Sequence, residues 1–133
     1  LAKLILALIK TKFVSKTIET GKNGEEQAAA FLKTSGYRIL ALNWRVKHLE
    51  VDIIAQDANE LVMVEVKTRA TDVFGAPESF VTKDKQRKLI KAAHEYILQH
   101  NLDLEVRFDI VSVLTSGHKV QHIKNAFYPG LRT

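Results

Sequence analysis

The sequence predicts an α/β fold whose elements run helix, three strands, helix, two strands. Three observations carry this. Residues 50–55 and 61–67 are rich in β-branched side chains and flank a short polar turn, which makes them a hairpin. Residues 20–34 and 82–100 repeat apolar side chains at helical spacing. Residues 105–114 have the length and apolar content of a buried strand, and a turn then leads into a final short strand.

The first helix ends at Ser35-Gly36, where glycine is a common terminator. Residues 37–42 form the first strand and the hairpin supplies the second and third. Gly75 and Pro77 mark the stretch from Arg69 to Val81 as a loop. Thr82 is placed to cap the second long helix. The chain holds 133 residues, 46% of them hydrophobic, enough for one domain with a core of its own. There are no repeats and no low-complexity tracts.

Zero cysteines exclude a disulfide scaffold and a thiolate zinc site, and fit a reducing, cytoplasmic setting. Twenty Lys and Arg against fifteen Asp and Glu give net +5, a basic excess that suits a nucleic-acid partner. Residues 1–10 are strongly apolar, but too short to span a bilayer, which needs about 20 residues, and Lys3 interrupts any signal-peptide core. Leu1, Leu4, Ile5, Leu8 and Ile9 follow helical spacing and need a surface to cover. That surface is either this domain's own sheet or a second copy, which would make a homodimer. The division expected is an apolar extension over residues 1–16 and one domain over residues 17–133.

The chemistry concentrates on the hairpin. A turn centred on Ala58-Asn59 sets Asp52 opposite Glu65 and Glu50 opposite Lys67. Two carboxylates about 5 Å apart repel by roughly 3 kcal/mol at an effective dielectric near 20, so the pair calls for a cation. Lys67 or a divalent metal supplies one. Along the second hairpin strand Leu61, Met63, Glu65, Lys67 and Arg69 share one face, and Val62, Val64, Val66 and Thr68 share the other. One face is apolar throughout and the other turns charged. A plain ion pair of Glu50 with Lys67 at a sheet edge is the competing explanation.

Other candidates surround this group. Glu25 lies on one helix face with Ala28, Ala29 and Leu32 and could reach the sheet edge, unless it merely complements the helix dipole with Glu26. Gln86 shares a stripe with Leu89, Ile90, Ala93, Tyr96 and Ile97, and an amide there needs a partner. Lys83, Lys85, Arg87, Lys88 and Lys91 crowd the start of the second long helix, as phosphate contacts or as a solvated face. His118 and His122 lie in a hairpin, where their spacing does not make a helical zinc pair.

As an ordered set, Gly21 and Glu25, Asn43 and Arg45, Glu50-Val51-Asp52, Glu65-Val66-Lys67-Thr68-Arg69, Gly75, Lys85-Gln86 and Arg107-Phe108-Asp109 resemble the PD-(D/E)xK nuclease superfamily. Within it the chain looks like the YraN family of predicted endonucleases, relatives of Holliday junction resolvases. Val51 replaces the superfamily's proline, and Leu49 stands where glycine usually precedes the acidic pair; neither change removes a ligand. The resemblance implies a restriction-endonuclease-like three-layer fold, a central mixed sheet flanked by helices. It further implies a Mg²⁺- or Mn²⁺-dependent endonuclease acting on DNA, branched DNA included. Asp52, Glu65 and Glu25 would serve the metal, with Lys67 and Gln86 completing the catalytic set. Arg45, Arg69, Lys83, Lys85, Arg87 and Lys88 would contact DNA. A catalytically silent nucleic-acid-binding module and a protein adaptor are the alternatives on the same fold.

Overall fold

The computed structural model describes residues 16–70, 81–115 and 119–128, with side chains from Gly24 onward. The apolar segment over residues 1–15, the Gly75/Pro77 loop over 71–80 and His118 lie outside what it describes. The expectation of a covering N-terminal helix or a dimer built on it falls there too. The order is α1 (Lys16–Thr34), β1 (Arg38–Val46), β2 (Leu49–Asp57), β3 (Glu60–Arg69), α2 (Lys83–His100), β4 (Glu105–Leu114) and β5 (Val120–Ile123). This is the element order expected from the sequence. Among the described residues, no helix is long and apolar enough to cross a membrane.

The strands form one five-stranded sheet in the order β1-β2-β3-β4-β5. The β3–β4 pair is parallel and the other three are antiparallel. A parallel neighbour requires a crossover, and α2 is that crossover. Val62 and Val64 of β3 meet Ala28, Ala29 and Leu32 of α1, while Leu61 and Met63 meet Leu89, Ala93 and Tyr96 of α2. Both faces of the sheet are thus buried and the fold has three layers, as a continuous apolar run on the central strands requires. β3 is the central strand, which removes the edge-strand reading of its charged end.

Local signals set the boundaries. Gly36, at φ +95°, ends α1 in a Schellman motif: the Tyr37 N–H donates to Leu32 O at 2.9 Å and the Gly36 N–H to Lys33 O at 3.0 Å. Thr82 caps α2, its hydroxyl accepting from the Lys85 N–H at 3.1 Å. The β2–β3 turn is centred on Ala58-Asn59, with Asp57 paired to Glu60. β1 runs on to Val46, beyond residue 42 where the sequence pattern fades, because pairing with β2 sustains it through the Lys47-His48 turn. A bulge between Ile39 and Ala41 breaks its alternation and hides that continuation from a period-2 reading.

One polar cluster is buried between the sheet and the α1 side. Asp109 is 1% exposed. It accepts from Arg107 Nε at 2.9 Å and Nη2 at 3.0 Å, from the Asn125 N–H at 3.0 Å, and meets His122 Nε2 at 2.7 Å. Arg107 also donates to Asp57 at 2.9 Å, to Glu60 at 3.1 Å and to the Tyr37 hydroxyl. These contacts tie the β2–β3 turn, the start of β1, β4 and the segment after β5 to one carboxylate. His122 is a core partner here, its ring buried against Asp109. Burial alone would raise the Asp109 pKa, but the hydrogen bonds from His122 and Arg107 win and hold it below the usual carboxylate range. Burial together with the nearby Asp109 charge pushes the Tyr37 hydroxyl up to about 12.

Asp109→Ala leaves Arg107 buried with its best partner gone, so it should destabilise the fold by about 3–5 kcal/mol in urea unfolding. Because the folded pKa of Asp109 is depressed, its contribution is present above the unfolded value near 4 and is lost as pH falls through the folded one. The difference between wild type and Asp109→Ala should accordingly shrink below about pH 4.

Candidate active site

The site begins where β2 leaves β3. The regular ladder runs from Asp57–Glu60 to Ile53–Val64. One residue on, the Val66 N–H donates to Asp52 Oδ2 at 2.8 Å, so a carboxylate serves where a strand carbonyl would. On the other flank of β2, Asn43 adopts a left-handed φ of 49° between the pairs Leu42–Ile53 and Trp44–Val51. Strict alternation would place Val51 and Ile54 on opposite faces, yet both pack into the α2-side core. The strand therefore kinks at Asp52 and turns its carboxyl into the gap beside β3.

The expected Asp52–Glu65 juxtaposition survives in modified form. Burial and the neighbouring Asp52 charge raise the pKa of Glu65, while Lys85 and Lys67 oppose the rise. Asp52 is also raised, again by burial first, despite the Val66 N–H and the same two lysines. Lys67 Nζ stands 3.7 Å from Glu65 Oε1, and Lys85 Nζ stands 3.7 Å from Glu65 Oε2. Glu65 is 7% exposed, and its Oε2 is buried without a hydrogen-bond donor. The expected Glu50–Lys67 ion pair is corrected: Glu50 pairs with Arg45 across β1–β2 at 3.5 Å, because the strands have parted before Glu50 is reached.

Glu25 reaches this region from α1. The face expected for it is the buried one, with Ala28, Ala29 and Leu32 all in the core. Gly24 lets the helix come close, since a Cβ there would collide with the Thr68 side chain on β3. The Glu25 pKa is raised chiefly by burial, with Asn43 within hydrogen-bonding reach and the Asp52 and Glu50 charges nearby. It does not join Asp52 and Glu65 in a tight cage: among the described residues, no three acidic or histidine side chains converge as a metal-holding group. Gln86 is buried on the α2 stripe as expected, and its amide nitrogen donates to Val81 O at 3.1 Å. It braces the entry to the helix beside Lys85.

The basic candidates collect at the same end of the sheet. Arg45 is the penultimate residue of β1, Arg69 ends β3, and α2 begins there with Lys83. Arg87 and Lys88 are exposed and pair with Asp84 at 3.7 and 3.0 Å, so their charge is shared within the helix. Lys85 stands apart from the rest of the run. Its position in a run of lysines suggests a surface phosphate contact, whereas helix docking brings its ammonium to Glu65. Gly24 and the left-handed Asn43 went unread as site-building residues; a glycine inside the helix, directly before Glu25, is the local signal for the first.

The donor set fits a hard divalent cation. Two carboxylates of raised pKa, with Oε2 of Glu65 left without a hydrogen-bond donor although two lysines stand nearby, offer a cation oxygen ligands of the kind that suit Mg²⁺ or Mn²⁺. A carboxylate with a raised folded pKa costs stability as pH rises above its unfolded value near 4. Asp52→Asn should therefore raise the melting temperature of the metal-free protein at pH 7–8, by about 2–4 °C per kcal/mol recovered, and the gain should vanish near pH 4. Differential scanning calorimetry across that range checks both signs.

Comparison with known proteins converges on one group. The family described as Uncharacterised protein family UPF0102 matches residues 24–113, a span that holds Glu25, Asp52, Glu65, Lys67 and Lys85. A UPF0102 protein of Flavobacterium psychrophilum is 46% identical over 112 residues, covering 83% of this chain and 94% of the relative. One from Bacteroides thetaiotaomicron is 45% identical over 115 residues, covering 85% and 95%. One from Thermodesulfovibrio yellowstonii is 46% identical over 111 residues, covering 84% and 97%. The chain belongs to the UPF0102 family, the YraN group of predicted endonucleases whose ordered motifs it carries.

Proposed function

We propose that the protein is a Mg²⁺- or Mn²⁺-dependent endonuclease that hydrolyses DNA phosphodiester bonds, with branched DNA among its substrates. The observation that carries this reading is the buried Glu65, whose Oε2 lacks a hydrogen-bond donor, beside the half-buried Asp52 and with a lysine at each of its oxygens. Perturbed acidic groups next to cations at an open sheet end are a usual mark of a working site.

Asp52 and Glu65 would hold the cation, as oxygen ligands that suit Mg²⁺ or Mn²⁺. When bound, the metal supplies a water of lowered pKa and offsets charge on the phosphate. Lys67, fixed on β3 two residues beyond Glu65, presents an ammonium to the negative charge that develops on the phosphate oxygens. Glu25 acts from the outer side through Asn43 and the kink at Asp52. Lys83, Arg87 and Lys88, with Arg45 and Arg69, give the sheet end the positive surface that tracks a phosphate backbone without reading bases. A silent DNA-binding module is the second reading, and the absence of a three-ligand cage among the described residues is what favours it.

Incubation with duplex, single-stranded, flap and four-way-junction DNA, with and without Mn²⁺, tests the reading directly. Metal-dependent cleavage of at least one substrate is expected, and Asp52→Asn, Glu65→Gln and Lys67→Met should each lower it by about 10²-fold or more. Undiminished cleavage by the purified variants would reject the assignment. Lys83→Ala with Lys88→Ala should leave the cleavage chemistry in place but weaken DNA binding on all sequences alike. The salt dependence of binding should flatten by about 0.9 slope units for each phosphate that is no longer neutralised.

A further inference from the structure

Lys85 stands in an unusual position for a member of a basic surface run. Its backbone is pinned in the first turn of α2, the N–H held by Thr82 Oγ1 at 3.1 Å, and the next residue, Gln86, is anchored on Val81 O. The Lys85 side chain is 36% exposed, and its ammonium lies 3.7 Å from Glu65 Oε2. The distance is short enough for ion pairing and too long for a hydrogen bond. Oε2 is the one buried side-chain oxygen without a hydrogen-bond donor among the described residues. Lys67 faces the other oxygen, from the same strand as Glu65, and its reach is set by that strand. The two lysines are therefore not equivalent.

We infer that Lys85 is a resident competitor for the cation site: without metal its ammonium sits against Glu65 Oε2, and a divalent ion binds by displacing it toward the substrate phosphate. The inference rests on the metal-dependent reading above and adds a role that the metal ligands alone do not imply. A direct oxygen–metal bond at Oε2 needs the ammonium to withdraw, since two cations cannot share one buried oxygen at contact distance. The withdrawn ammonium remains on the exposed rim beside Lys83 and Lys88, where a phosphate is its natural partner. Apparent metal affinity is then reduced by the fraction of time the site is filled from within. The charge of Lys85 also weighs more than that of Lys67 in holding down the pKa of both Asp52 and Glu65, as a close occupant of the gap does.

Calorimetric titration of Mn²⁺ into the full chain tests this, comparing wild type with Lys85→Met, Lys85→Arg and Lys88→Met. Lys85→Met should bind Mn²⁺ roughly tenfold more tightly, as removal of a cation in contact with the ligand oxygen implies. Lys85→Arg should stay near wild type. Lys88→Met removes an equal charge from the same helix, but at the solvated Asp84 pair, and should change affinity by less than about twofold. Equal or weaker binding by Lys85→Met, or an equal gain in Lys88→Met, would overturn the competitor role while leaving the metal site intact. Binding by Lys85→Met alone would support the role in its strongest form. No Mn²⁺ binding by any of the four proteins would reject the metal-dependent reading and this inference with it. Circular dichroism of each variant establishes that it is folded.

Discussion

The hydrogen bond from the Val66 N–H to Asp52 Oδ2, 2.8 Å long, is the contact on which the site depends. It ends the β2–β3 ladder with a side chain in place of a main-chain acceptor. Past that point β2 is free to turn away, and Glu50 takes Arg45 of β1 as its partner. The resulting gap lies at the end of the central strand, bordered by Glu25 of α1 and Lys85 of α2. Among the described residues, charged side chains from β2, β3, α1 and α2 are what is available to fill it. The chemistry follows from that shortage of partners.

The same sheet buries a carboxylate in two opposite ways. Asp109 is surrounded by donors from Arg107, His122 and the Asn125 backbone, and its pKa falls in spite of burial. Asp52 and Glu65 are less deeply buried and their pKa values rise, because a backbone N–H and two lysines at ion-pair distance do not offset desolvation. β3 and β4 pair in parallel with Asp109 opposite Val64 and Ile110 opposite Glu65, so the two environments sit one residue apart along the strands and face opposite sides of the sheet. The satisfied cluster at the turn end fixes the hairpin, β4 and β5 in register. The unsatisfied pair on the other side is left with charge to share.

Much of this was legible in the sequence, and the rest was hidden for physical reasons. The hairpin register could be read because a two-residue turn and strict alternation leave few ways to pair. The buried faces of both helices followed from their stripes, and the caps at Gly36 and Thr82 from residue type. The Asp52 kink could not be read, because it lies opposite a left-handed Asn43 on the neighbouring strand, and strand alternation carries no sign of either. Nor could Lys85, whose neighbours in sequence are lysines but whose neighbour in space is Glu65. The role of Asp109 depends on His122 and Asn125, which come to it only after β5 folds back on β4. Contacts made across strands that are distant in sequence leave no periodic trace.

Crystals grown with saturating Mn²⁺ and measured at a wavelength where manganese scatters anomalously put the central claim to its most direct test. An anomalous peak is expected in the gap between β2 and β3, at about 2.0–2.3 Å from an oxygen of Asp52 and from Oε2 of Glu65, with the Lys85 ammonium moved off that oxygen. A map with no peak at Asp52 and Glu65, or with Lys85 unmoved and the only peak elsewhere on the surface, would contradict it.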